Sequence, residues 1–64
     1  MDNSIVAYLA EHKDATAIDV RHALGLTHEQ VYMALVRLEA TGAVRVDSRR
    51  SEWVPEIRYW QVTP

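Results

Sequence analysis

Residues 20–44 read VRHALGLTHEQVYMALVRLEATGAV, and the spacing inside this stretch decides the fold. Val31, Leu35 and Leu38 fall at i, i+4 and i+7, which at about 3.6 residues per turn puts all three on one face of a helix. Ahead of them Val20, Ala23 and Leu24 make a shorter stripe, Gly25 permits the positive φ that a helix end often needs, and Leu26 is an apolar anchor for the turn. Thr27 is a suitable N-cap, with Gln30 as its capping-box partner. The unit is therefore a helix-turn-helix. Gly42 stops the second helix, and the alternating run Ala43-Val44-Arg45-Val46-Asp47 starts a strand at once.

On the amino-terminal side, Asp2, Asn3 and Ser4 are competent caps for a first helix that shows Ile5, Val6, Leu9 and Ala10 on one side, with Tyr8 and His12 flanking. It is expected to pack across the other two helices. Asp14-Ala15-Thr16 interrupts the pattern, and Thr16 with Asp19 is a capping signal for the next helix. On the carboxyl-terminal side, Val44 and Val46 point inward and Arg45 and Asp47 outward. Ile57-Arg58-Tyr59-Trp60-Gln61-Val62 is the return strand, with Trp60 and Val62 on the core side and Tyr59 and Gln61 outside. Between the strands, Ser48 to Glu56 (SRRSEWVPE) is a polar run in which Pro55 disfavours a central strand, so it forms a projecting loop. The expected architecture is α+β: a winged helix-turn-helix of three helices followed by a two-stranded β-hairpin wing, as a single domain over residues 1–64.

At 64 residues the chain buries only about 60% of its unfolded-state surface. There is no cysteine, hence neither a disulfide nor a thiolate zinc site, and His12 and His22 lack a second ligand at i+4, so no metal is expected. MDNSIVAYLAEHKD has no basic leader and no long apolar core, so neither a signal peptide nor a membrane span is read, and a soluble cytoplasmic protein is the expectation. Net charge is −2, which argues against indiscriminate nucleic-acid binding through bulk charge. The arginines are concentrated, however: residues 37–64 hold five of them against four carboxylates, while residues 1–36 hold two cations against five. No phosphate loop, nucleophile elbow or carboxylate pair is present, so no catalytic residue, cofactor or enzyme activity is expected.

The second helix of a helix-turn-helix fits the major groove of double-stranded DNA and presents its first turns to base edges. Over about 27–41 the positions off the apolar face include His28, Glu29, Gln30, Tyr32, Met33, Val36 and Arg37. Gln30 can read an adenine or serve the cap; His28 and Tyr32 can donate to bases or phosphates, Tyr32 alternatively lying over the first helix; Arg37 is placed to reach the backbone; Thr27 can hold a phosphate. In the wing, about 48–56, Arg49 and Arg50 are candidates for phosphate or groove contact because they sit in a loop where intrasheet pairing is less available, and Trp53 either touches DNA or folds back over the sheet. The DNA-contacting set is thus Thr27, His28, Gln30, Tyr32, Met33, Arg37, Arg49, Arg50 and Trp53. Glu29 repels phosphate, and the alternative function is a protein-interaction module working through Tyr32, Met33, Val36 and Trp53.

The run Val20, Ala23, Leu24, Leu26, Thr27, Gln30, Val31, continued by Leu35, Leu38-Glu39, Gly42, Val44, Arg49-Arg50 and Tyr59-Trp60, resembles the PapI/FaeA-type small winged-helix regulators of pilus operons. Its Leu35 to Val44 portion is similar to many bacterial winged helices, the MarR-like class included. The resemblance implies sequence-specific DNA binding in transcription regulation, often with a larger global regulator, the leucine-responsive protein, as partner. It carries DNA contact onto Gln30 with its helix neighbours and onto Arg49 and Arg50. Oligomeric state is left open.

Overall fold

Thr16 and Thr27 each open a helix by the same device. Thr16 accepts the Asp19 N–H on its hydroxyl at 3.2 Å and donates its own N–H to the Asp19 carboxylate at 3.0 Å. Thr27 and Gln30 repeat the exchange at 3.1 and 2.9 Å. Each box satisfies helix-terminal N–H groups that have no partner within the helix. The computed structural model describes residues 1–64 and contains α1 (Asp2–Glu11), α2 (Ala17–Leu24), α3 (His28–Ala40), β1 (Val44–Arg49) and β2 (Ile57–Val62).

α2 and α3 end at glycines, whereas α1 ends at His12 in extended backbone. Gly25 caps α2 in the left-handed region at φ 66°. After α3, Gly42 takes φ 82°, its N–H donates to the Glu39 carbonyl at 3.0 Å, and the Ala43 N–H donates to the Leu38 carbonyl at 2.9 Å. Those two bonds make a Schellman stop and turn the chain straight into β1. At the start of α1 the residue in the cap position is Met1, with no side-chain capping bond, so none of Asp2, Asn3 and Ser4 performs the capping expected of them. Asp2 is already in the first turn, and its carboxylate accepts from Arg37 of α3 at 3.0 Å.

The core is assembled from every element: Ile5 and Leu9 of α1, Val20 of α2, Val31, Ala34, Leu35 and Leu38 of α3, Val44 of β1 and Trp60 of β2, with Ala15 from the loop between α1 and α2. Each of the larger aliphatic side chains, buried in full, contributes about 1.5–3 kcal/mol. Ala10 and Ala23, read from periodicity as inward, are exposed; a methyl group at the edge of a stripe gains little from burial and both lie just outside the packed face. α1 packs on α2 and β2, and reaches α3 through the Asp2–Arg37 pair.

The hairpin is antiparallel, pairing Val44 with Val62, Val46 with Trp60 and Arg49 with Ile57. On its other edge β2 is joined by a single residue: the Trp60 N–H donates to the Ala15 carbonyl at 2.8 Å. This bridge places β2 in the middle and pins the α1–α2 loop to the sheet. Because β1 runs through Arg49, the loop of the wing is residues 50–56 and not 48–56; Ser48 and Arg49 belong to the ladder. The architecture is an α+β winged helix.

Candidate nucleic-acid interface

α3 buries Val31, Ala34, Leu35 and Leu38. At about 100° per residue the direction opposite that stripe is occupied by Glu29, Met33 and Val36, with Gln30 and Arg37 on one flank and His28 and Tyr32 on the other. All seven are exposed. Glu29 takes part in no ion pair, and Met33 and Val36 are 49% and 41% open to solvent, so the outward face is acidic and apolar at its centre with donors at its sides.

The individual placements refine the sequence reading. Tyr32 does not lie over α1; it is 47% exposed, and its ring stacks on His28 with centroids 6.1 Å apart. Gln30 has its side-chain oxygen committed to the Thr27 N–H, which leaves its NH₂ group facing out. Thr27, Gln30, Met33 and Arg37 line one shallow concavity together with Met1 and Glu29. The Arg37 guanidinium is shared with Asp2 across a half-exposed ion pair.

In the wing the two adjacent arginines differ. Arg50 begins the loop and has no carboxylate within ion-pair distance. Arg49 lies in β1 and is fully engaged: it donates from Nε to Asp47 at 2.9 Å and from a terminal nitrogen to Asp14 at 2.9 Å, and its guanidinium carbon sits 4.5 Å from the Tyr59 ring centroid. The expectation that loop placement would leave Arg49 unpaired is therefore corrected, because the ladder extends one pair further and sets it among carboxylates. Trp53 is 88% exposed and does not fold back over the sheet. The turn beneath it is closed by Ser51, whose N–H donates to the Val54 carbonyl at 3.1 Å and whose hydroxyl accepts the Val54 N–H at 3.0 Å.

Asp14 and Gln61 were not singled out by sequence. The Asp14 carboxylate accepts from the Gln61 amide at 2.6 Å as well as from Arg49, and these two hydrogen bonds, the Gln61 one first, hold it below the usual carboxylate range. Hydrogen bonds to Asp47 first and to Asp14 second push the Arg49 guanidinium further up. No periodicity links residue 14 to residue 49; the available signal was only that an aspartate tolerates the left-handed backbone of a helix-ending turn. No group of three His, Cys, Asp or Glu side chains is placed to hold a metal ion, and no helix is long and apolar enough to cross a membrane.

Comparison with known proteins agrees with this geometry. The solved structure of Streptococcus pneumoniae FabT in complex with DNA superposes with a TM-score of 0.74 at 24% identity, over 97% of this chain and 41% of that one, so this chain spans less than half of the FabT length and the likeness is one of fold. No curated protein matches the chain. A family model described as FaeA-like protein matches residues 1–62, and the chain belongs to the FaeA-like family.

Proposed function

We propose that this protein is a sequence-specific double-stranded-DNA-binding transcriptional regulator that lays α3 in the major groove and sets its wing on the flanking backbone. The observation that carries this reading is the exposed outward face of α3, capped at Thr27 and open to solvent from His28 to Val36, with only Arg37 tied to another element through Asp2. FaeA-like membership and the fold shared with FabT, a protein solved on DNA, support it. The centre of the face suits base edges better than phosphates: a carboxylate accepts from the cytosine amino group, and apolar side chains pack on thymine methyls. Glu29 takes the first role and Met33 and Val36 the second. The free NH₂ of Gln30 donates to a purine acceptor, and His28 and Tyr32 donate to a base or phosphate on their flank. The Thr27 hydroxyl proton, the unpaired N–H groups of the first turn and Arg37 hold phosphates, and Arg50 and Trp53 engage DNA from the wing.

Selection from a random duplex library with the purified chain tests this. A recovered consensus, altered in Glu29→Ala and Met33→Ala, is the expected result; no enrichment at low salt overturns the reading. If these substitutions instead abolish capture of a protein while DNA is never bound, the exposed Tyr32, Met33 and Val36 form a protein-docking face.

A further inference from the structure

We propose that Asp14, Gln61 and Arg49 form a clamp that fixes the wing on the α1–α2 loop, making Arg49 a positioning residue and leaving Arg50 as the phosphate-binding arginine of the pair. The second half of this statement rests on the DNA-binding reading above; the first half stands on geometry alone.

Asp14 is the sole non-glycine residue with positive φ, at 59°. That backbone conformation is unfavourable for most side chains, and here it is held because the next residue, Ala15, is bonded to the Trp60 N–H at 2.8 Å. The result is a carboxylate delivered to the outer face of the hairpin. There one oxygen accepts from Gln61 at 2.6 Å and from Arg49 at 2.9 Å, and Gln61 in turn accepts from Arg45 Nε at 3.0 Å. Register explains the meeting: Arg45, Asp47 and Arg49 alternate along β1 opposite Gln61, Tyr59 and Ile57 of β2, so all lie on one side of the ribbon.

Arg49 is the last residue of β1, and past it the loop is tied by the Ser51–Val54 bonds within it and by the exposed Glu56–Arg58 pair at its far end. The clamp is thus the side-chain tie nearest the tip between the hairpin and the helical body, below the segment that carries Arg50 and Trp53. Both the edge of the guanidinium, through Asp47 and Asp14, and its face, on Tyr59, are used, which a lysine ammonium cannot reproduce. A phosphate approaching Arg49 would also meet the two carboxylates that already flank it.

The two roles predict opposite signs. Asp14→Gly keeps the backbone conformation, since glycine adopts this φ freely, and removes a negative charge. If the carboxylate matters only through long-range charge, affinity for DNA rises. The clamp predicts about a two- to fivefold loss, the span of an exposed ion-pair contribution, with the slope of log K against log[salt] unchanged. Arg49→Lys, which retains charge, is to lose affinity to the same extent with the same slope. Arg50→Ala is to lower the slope by about 0.9. Backbone ¹⁵N order parameters of residues 50–56, measured without DNA, are to fall from about 0.85 toward 0.6 in both clamp variants while the helices stay rigid. Tighter binding by Asp14→Gly, or a slope loss with Arg49→Ala equal to that of Arg50→Ala, overturns the proposal. If the parent binds no duplex, the DNA reading falls and the order parameters alone decide the clamp: reduced values uphold it, unchanged values remove it.

Discussion

The side-chain oxygen of Gln30 lies 2.9 Å from the backbone nitrogen of Thr27, and the Thr27 hydroxyl lies 3.1 Å from the backbone nitrogen of Gln30. One residue thereby closes the helix end and presents its amide NH₂ to the outside. A bidentate adenine contact needs both polar atoms of the amide, so capping reduces Gln30 to a single donor unless the box opens. Gln30→Ala is predicted to cost about 0.5–1.5 kcal/mol of folding stability by loss of one hydrogen bond, and to reduce discrimination between cognate and random duplexes. Paired thermal melts and anisotropy titrations measure both; a lowered melting temperature with unaltered discrimination assigns Gln30 to folding alone.

Gly42 has φ 82°, and an added Cβ would meet no atom within 4 Å. Substitution therefore tests backbone strain with no steric term. Gly42→Ala is predicted to lose about 1–2 kcal/mol, which in a domain this size lowers the melting temperature by about 4–8 °C for each kcal/mol. A variant melting with the parent shows that the Schellman stop contributes nothing.

The helix-turn-helix was legible because its signals are local: Thr27 with Gln30, the Val31-Leu35-Leu38 stripe and Gly42 all act within a few residues of one another. The return strand was legible by its aromatic and β-branched content. What escaped was non-local. Ala15 looked like an interruption because a single bridging residue leaves no two-residue period, yet it is buried and bonded to Trp60. Arg49 looked free because the ladder was taken to end at Asp47, and its partner Asp14 is thirty-five residues away. Trp53 and Tyr32 each had two readings that the sequence left open; both side chains are exposed.

The two tryptophans make natural probes, Trp60 being 5% exposed and Trp53 88%. Trp53→Phe is predicted to remove the red-shifted part of the emission and leave the unfolding transition in place. In the parent, DNA is to change the Trp53 component alone. Emission unmoved by saturating duplex excludes Trp53 from the interface.

Asp14 is held below the ordinary carboxylate range by the Gln61 amide and by Arg49, with Lys13 adding a smaller attraction. A carboxylate with a depressed folded-state value contributes stability that is complete above its unfolded value, about 3.9, and disappears as pH falls through the lower folded one. Wing order is therefore predicted to stay constant from neutral pH to about 5 and to loosen only below about 3.9. Titration of the Asp14 carboxyl ¹³C shift, with the Gln61 side-chain amide as a second probe, locates the midpoint; one at or above the ordinary value contradicts the clamp geometry.

The most direct test of the DNA-binding account is an amide and side-chain NMR titration of the parent chain with its selected duplex and with a random duplex, at two salt concentrations. The account predicts shifts on Thr27, His28, Glu29, Gln30, Tyr32, Met33 and Arg37 of α3 and on Arg50 and Trp53 of the wing, those of Glu29 and Met33 being larger with the selected duplex and all weakening with salt. No shifts with either duplex, or shifts confined to residues outside α3 and the wing, contradict it.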